Sequence, residues 1–135
     1  MKRFYLAASY KTQIEAGELA DAIEAATARE WTCSSRWIRE DYSEVPFRIC
    51  AEHDLADIRS SQAFIMNLGP SFSRGKYTEF GYALAGTPYI LPILLIGTEY
   101  DKKKNSVFFH LDSNVTWAPL YAGAYYAASW LCSLT

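Results

Sequence analysis

Ala63-Phe64-Ile65-Met66-Asn67-Leu68, Gly69-Pro70-Ser71-Phe72-Ser73-Arg74-Gly75, Lys76 to Ala85, and Tyr89 to Ile96 follow one another without a gap wider than a turn. The first piece is a short, continuous apolar run, as a strand buried on both faces requires. The second has the composition of a loop. The third reads as a short helix, ended by Gly86 and Pro88 in the usual order. The fourth is a second apolar run, so the whole reads as strand, helix, parallel strand. Working outward, Arg3 to Ser9 repeats the buried-strand pattern, and Thr12-Gln13-Ile14-Glu15 reads as a capping box opening a helix to about Arg29. Trp31 to Trp37 is a further strand candidate, residues 38–45 are polar and irregular, and Pro46 suits the first turn of a helix reaching about Ser60. On the other side, Lys102 to Lys104 reads as a solvated turn, Val107 to Leu111 as a fifth strand, and Leu120 to Leu134 as a closing helix. This alternation predicts an α/β fold with a parallel sheet and helices on both faces. Ligands in such folds sit at the carboxyl ends of the strands, where strand order reverses. Ser9-Tyr10, the stretch after Trp37 and the 69–75 loop would all lie there.

A chain of 135 residues is expected to form one domain spanning residues 1–135. Its 13 basic and 15 acidic residues leave no electrostatic footprint for a nucleic-acid polymer. Three cysteines, Cys33, Cys50 and Cys132, without CxxC spacing, argue for a reducing compartment rather than a disulfide framework. With only His53 and His110, and no HExxH or Cys/His cluster, neither a metal nor a cofactor is expected. The apolar run at the start is too short for a signal peptide. Tyr89 to Ile96 is less than half a membrane span. The Asn114-Val115-Thr116 sequon is read as chance, and the expected location is cytoplasmic.

Two acidic positions stand out. At about 100° per residue, Phe47, Cys50, Ala51, Leu55 and Ile58 form one apolar stripe on the helix after Pro46. Asp54 falls in the middle of that stripe and Asp57 on its edge, with Glu52 and His53 outside. An ionised carboxylate aimed at a core is costly unless it has a role or a partner, and Arg36 and Arg48 are the candidate partners. On the following helix Glu79 aligns with Ala83 and Gly86, flanked by Tyr82, near the positive end of the helix dipole. Ser71, Ser73, Arg74, Gly75 and Lys76 precede that helix and could hold an anion, although no GxGxxG or GxxxxGK[ST] motif is present.

Tyr5-Leu6-Ala7-Ala8, Asp54-Leu55-Ala56-Asp57-Ile58 and Glu79-Phe80-Gly81-Tyr82-Ala83 after a Ser/Gly loop together resemble the nucleoside 2-deoxyribosyltransferase family. That family includes the 2′-deoxynucleoside 5′-monophosphate N-glycosidases. The resemblance covers residues 3–97 in order and spacing, and Val107 to Leu111 resembles the C-terminal part of some members. It implies a single-domain, flavodoxin-like three-layer sandwich with a mostly parallel sheet. It further implies cleavage, with or without transfer, of the N-glycosidic bond of 2′-deoxynucleosides or their 5′-monophosphates. Glu79 would be the nucleophile forming a covalent deoxyribosyl intermediate, Tyr5 would orient it, and Asp54 would contact the base or sugar and help protonate the leaving base. Ser73 would bind a 5′-phosphate. Arg74 and Gly75 in the same loop, together with Ala7, Asp57 and Tyr82 from the matched motifs, complete the expected substrate-binding set. By the same resemblance, Asn114 would be the counterpart of an asparagine that the transferases draw from a neighbouring subunit.

The chemistry is coherent, because an oxocarbenium-like transition state needs one ionised carboxylate at C1′ and a second acid at the leaving group. The expected partner is a small deoxynucleoside or deoxynucleotide, with no membrane and no nucleic-acid polymer. A homo-oligomer is expected, because Tyr121, Tyr125, Tyr126 and Trp130 exceed what one terminal helix needs for its own sheet. The competing reading is a non-catalytic protein on the same fold that binds a nucleotide or a nucleotide-derived signal.

Overall fold

A computed structural model describes residues 1–69, 73–87, 90–104, 107–110 and 114–134. Ser71, Pro88, Tyr89 and Leu111, which figure in the sequence reading, lie outside the described residues. Five parallel strands form one sheet: β1 (Lys2–Ala7), β2 (Trp31–Cys33), β3 (Ala63–Asn67), β4 (Ile93–Gly97) and β5 (Val115–Pro119). Their order is β2-β1-β3-β4-β5, a flavodoxin-like arrangement. From β1 the chain steps outward to β2 and then crosses back to β3. The two crossovers therefore lie on opposite faces, and the gap above β1 and β3 is the switch point.

Six helices complete the described fold: α1 (Gln13–Ala26), α2 (Arg36–Arg39), α3 (Phe47–Arg59), α4 (Arg74–Ala85), α5 (Glu99–Lys104) and α6 (Gly123–Ser133). The first packs against α6, and α3 packs against α4. The central strands are the apolar runs of the sequence. Phe4 to Ala7, Ala63 to Met66 and Ile93 to Leu95 have no solvent-exposed surface. The rings of Tyr5 and Phe64 stack across β1 and β3 with centroids 5.7 Å apart.

Several elements differ from the expectation, each for a local reason. Strand β2 stops at Cys33 because side chains then take over the ladder. Ser34 Oγ donates to the Phe4 carbonyl, Ser35 Oγ accepts from Leu6 N and donates to Leu6 O, and Trp37 Nε1 also donates to Leu6 O. The chain is thereby free to turn into α2, which carries Arg36 and Trp37 over the carboxyl end of β1. The capping box expected at Thr12 does not form, since Thr12 Oγ1 donates to Ser9 O instead. Helix α1 ends at Ala26, with Ala28 and Arg29 in the left-handed region.

The Lys102–Lys104 run is not a turn but the end of α5. That helix opens with a reciprocal box: Thr98 N donates to Asp101 Oδ2 at 2.8 Å, and Asp101 N donates to Thr98 Oγ1 at 3.1 Å. Three lysines at its C-terminal end suit the dipole. Val107 to His110 forms a 3-10 turn rather than a strand. Phe109 from this turn is buried among Tyr77, Phe80 and Trp117, and its ring meets that of Phe80 edge-on at 4.8 Å. The fifth strand is Val115–Pro119, at the sheet edge, where a proline is tolerated.

At the C-terminus, Leu120 to Ala122 form a 3-10 turn before α6. Tyr121 and Tyr125 are almost fully exposed, whereas Trp130 packs against the core. Among the described residues no helix is long and apolar enough to cross a membrane.

Candidate active site

At the carboxyl ends of β1 and β3, between α3 and α4, lies a cavity of about 620 Å³, within the range of ligand pockets. One wall is the start of α4, with Ser73, Gly75, Lys76, Thr78 and Glu79. The opposite wall is apolar and aromatic: Ala8, Tyr10, Trp37, Tyr42, Phe47, Cys50, Ala51 and Leu55, with Asp54 set among them.

The stripe on α3 does not face the core as its periodicity suggests. Phe47 is 92% exposed and Ala51 is exposed, while Asp57 and Ile58 are the buried pair. Helix α3 begins above the strand ends, so its first two turns overhang the cavity and only its last turns reach the sheet. Asp54 therefore points into the cavity.

Glu79 and Tyr5 meet there. The phenol of Tyr5, itself wholly buried on β1, donates a short hydrogen bond to Glu79 Oε2. Burial pushes the Glu79 carboxyl up to about 8; the Tyr5 bond opposes that rise and the nearby Asp54 adds to it. Burial followed by the charge of Asp57 raises Asp54 to about 6, against the pull of Arg36. Burial and the two carboxylates hold the Tyr5 phenol well above its ordinary range, so it remains a donor. The cavity thus contains two electrostatically linked carboxyl groups on opposite walls, and Asp54 Oδ1 is buried without a hydrogen-bond partner among the described residues. Such a pair can divide the roles of nucleophile and acid.

The remaining expected site residues are placed as follows. Ser73 is the N-cap residue of α4, makes no side-chain capping bond, and lines the cavity beside Gly75. Arg74 is exposed and outside the lining. Ala7 is buried in β1, one residue before the cavity-lining Ala8. Tyr82 lies one turn beyond Glu79 and packs against the core. Asp57 is turned away from the cavity. Its carboxylate takes the Arg36 backbone N–H at 3.0 Å and the Arg36 guanidinium at 2.9 Å. Arg48, the other candidate partner for a carboxylate on α3, pairs with Glu52. Asn114 precedes β5, at the opposite end of the sheet, with Nδ2 donating to Leu91 O. In its own chain it does not meet the cavity.

The lining also includes Lys76, which the sequence places among the loop residues able to hold an anion, and residues that the sequence does not single out, Tyr42 among them. Lys76 is buried to 1% exposure, and its ammonium donates to the carbonyls of Asn67 and Leu68, the last residues before the loop. Burial lowers its pKa. A lysine in the first turn of a helix ordinarily opposes the dipole; here backbone carbonyls take its ammonium. Tyr42 lies in the polar stretch before Pro46, where no periodicity marks an inward residue.

No protein-family model matches the sequence, and no curated protein matches it. Among solved structures, the CMP N-glycosidase BcmB of Clostridium botulinum superposes with a TM-score of 0.62 at 22% identity, covering 97% of this chain and 99% of that one. The two chains share one fold.

Proposed function

We propose that this chain cleaves the N-glycosidic bond of a nucleotide or nucleoside. The observation that carries the reading is the Tyr5–Glu79 pair facing Asp54 across one cavity at the switch point. It is supported by the fold shared with an enzyme described as a CMP N-glycosidase. In this mechanism Glu79 attacks C1′ as the C1′–N bond breaks, and Asp54 gives its proton to the departing base. The resulting glycosyl ester is resolved by water, which gives its proton to Asp54 as it attacks C1′ and releases Glu79. Two displacements at one carbon retain configuration, and retaining carboxyl pairs lie about 5 Å apart. Tyr5 steadies the ionised form of Glu79 that attacks. Transfer to a second base would use the same intermediate.

The test is base release from a panel of nucleosides and 5′-monophosphates with both 2′-deoxyribose and ribose, CMP included, alongside intact-mass detection of a pentosyl adduct on Glu79. No release from any member overturns the reading. Binding of a nucleotide without release would favour a non-catalytic nucleotide-binding protein instead.

The pH dependence follows from the two carboxyl groups. Attack requires Glu79 ionised and leaving-group assistance requires Asp54 protonated, although Glu79 is the weaker acid of the two. The productive form is then a minor one, and its population peaks between the two values. A bell-shaped kcat/KM is expected, rising through about 6 and falling through about 8, with both limbs belonging to the coupled pair. A profile flat from about pH 5 to 9 would count against a working carboxyl pair.

For the phosphate, Ser73 and the N-terminus of α4 are the proposed cradle. Ser73→Ala is expected to weaken 5′-monophosphate binding about 10-fold and leave nucleoside binding within about twofold. Arg74→Ala should cost less, because an exposed charge is screened. Equal losses for both ligand classes in titrations would show that the loop only shapes the cavity.

A further inference from the structure

Two atoms of the cavity wall are closed off from solvent without a hydrogen-bond partner among the described residues: the Tyr42 hydroxyl and Asp54 Oδ1. Buried polar atoms are rarely left in that state. These two line the same cavity, yet they do not bond to each other. They are near enough that the Asp54 charge, after burial, raises the pKa of the Tyr42 phenol. Glu79, held by the Tyr5 phenol, lines one wall of this cavity, and Asp54 and Tyr42 line the aromatic wall opposite it.

If C1′ lies at Glu79, the ring attached to it extends past Asp54 toward Tyr42. We propose that Tyr42 and Asp54 together read one edge of the leaving heterocycle, Asp54 Oδ1 accepting from an N–H and the Tyr42 O–H donating to the adjacent ring nitrogen or carbonyl. Tyr42 is thus a specificity-determining residue that touches the base. This extends the glycosidic reading above, on which the words "leaving heterocycle" rest. The phenol is suited to donation because it stays protonated throughout the working pH range. The carboxylate, once ionised, only accepts. The ligand edge that satisfies both presents a donor beside an acceptor, as the amidine edge of cytosine and the lactam edge of uracil do. An edge whose donor has been methylated leaves Asp54 Oδ1 buried and unpaired, and sites built to bond such a group reject analogues lacking it strongly. Only one oxygen of Asp54 is used in this way, which leaves the other for proton transfer.

The experiment is calorimetric titration of the full chain with 1-methylcytosine, 1-methyluracil, N4,N4,1-trimethylcytosine and 1,3-dimethyluracil, in which a methyl group blocks N1 as the sugar does, using the natural sequence and Tyr42→Phe. Binding of these bases needs no glycosidic cleavage, so the result is independent of the catalytic reading. The natural chain is expected to bind at least one parent base about 10-fold or more tighter than its further methylated analogue. Tyr42→Phe should weaken that parent base about 10-fold while changing the analogue by no more than about twofold, so that the two losses are not additive. Circular dichroism and melting of Tyr42→Phe are expected to match the natural chain, because the hydroxyl has no partner to lose. Equal affinity for parent and further methylated bases, or an unchanged preference in Tyr42→Phe, would overturn the proposal. So would glycosidic cleavage by a chain that binds none of the four bases, and in that case the catalytic reading would stand alone. A Tyr42-dependent preference in a chain that releases no base from any nucleotide would support the proposal and overturn the catalytic reading.

Discussion

Glu79→Gln lowers base release by about three orders of magnitude or more while substrate still binds within a few-fold. The exchange keeps the side-chain volume and an oxygen to accept from Tyr5, but it removes the charge that forms the bond to C1′. A covalent step that loses its nucleophile falls to whatever the rest of the site can do. Single-turnover base release and ligand titration on the same preparation separate the two effects. Near-normal turnover would exclude Glu79 as the attacking group.

Stability moves the other way. The folded protein holds a proton on Glu79 up to about pH 8, whereas the unfolded chain loses it near the ordinary value of 4.5. Stability from this group is therefore complete below about 4.5 and is lost as pH rises toward about 8. Glutamine has no such penalty. Melting of Glu79→Gln at pH 8 to 9 is expected to lie several degrees above the natural chain, with the gap closing near pH 5. An unfolded variant would instead mean that the carboxyl group holds α4 in place.

Asp57→Ala has the largest expected effect on folding. Asp57 is buried at the end of α3, and its carboxylate satisfies both the backbone N–H and the guanidinium of Arg36 at the start of α2. Its backbone carbonyl also accepts from the Ser60 and Ser61 hydroxyls. Alanine would leave a buried N–H and a partly covered cation without a partner. Breaking such a pair costs about 3–5 kcal/mol when both members are buried. Here Arg36 is 39% exposed, so about 2–3 kcal/mol is expected after solvent screening, or a melting point lower by about 10 °C. Asp57→Asn should recover part of this, since the amide oxygen can still accept from the N–H. The contrast is Asp54→Asn. It should slow base release, least for substrates whose base departs easily, and should not lower stability, because its buried oxygen has no partner to lose. If Asp57→Ala kept its melting point and lost only ligand binding, Asp57 would be a substrate contact after all.

Those two aspartates mark the limit of what one chain of letters conveys. They lie three residues apart on one helix, and the apolar stripe places both beside a buried face. Periodicity gives the rotation of a side chain about the helix axis, but not what that axis packs against at each level. Because α3 starts beyond the strand ends and finishes against the sheet, the same face lines a cavity at Asp54 and meets the core near Asp57. The strands β1, β3 and β4 and the helices α3 and α4 were legible, since buried parallel strands and helices bounded by proline or glycine follow from local composition. The stretches that hold Tyr5 and Glu79 stood out as motifs only through the family resemblance, and the fold brings their two side chains together.

Tertiary structure decided what depends on distant partners. Ser34 and Ser35 shorten β2 by bonding the backbone of β1, and Phe109 leaves the extended state to fill a pocket between Tyr77, Phe80 and Trp117. The fifth strand falls at Val115–Pro119 because only the sheet edge offers it an unpaired neighbour. Lys76 and Tyr42 gain their positions in the same way, through burial against residues remote in sequence. Composition and spacing thus determined the layers and the carboxyl groups, while packing against distant residues determined which of those groups face the cavity.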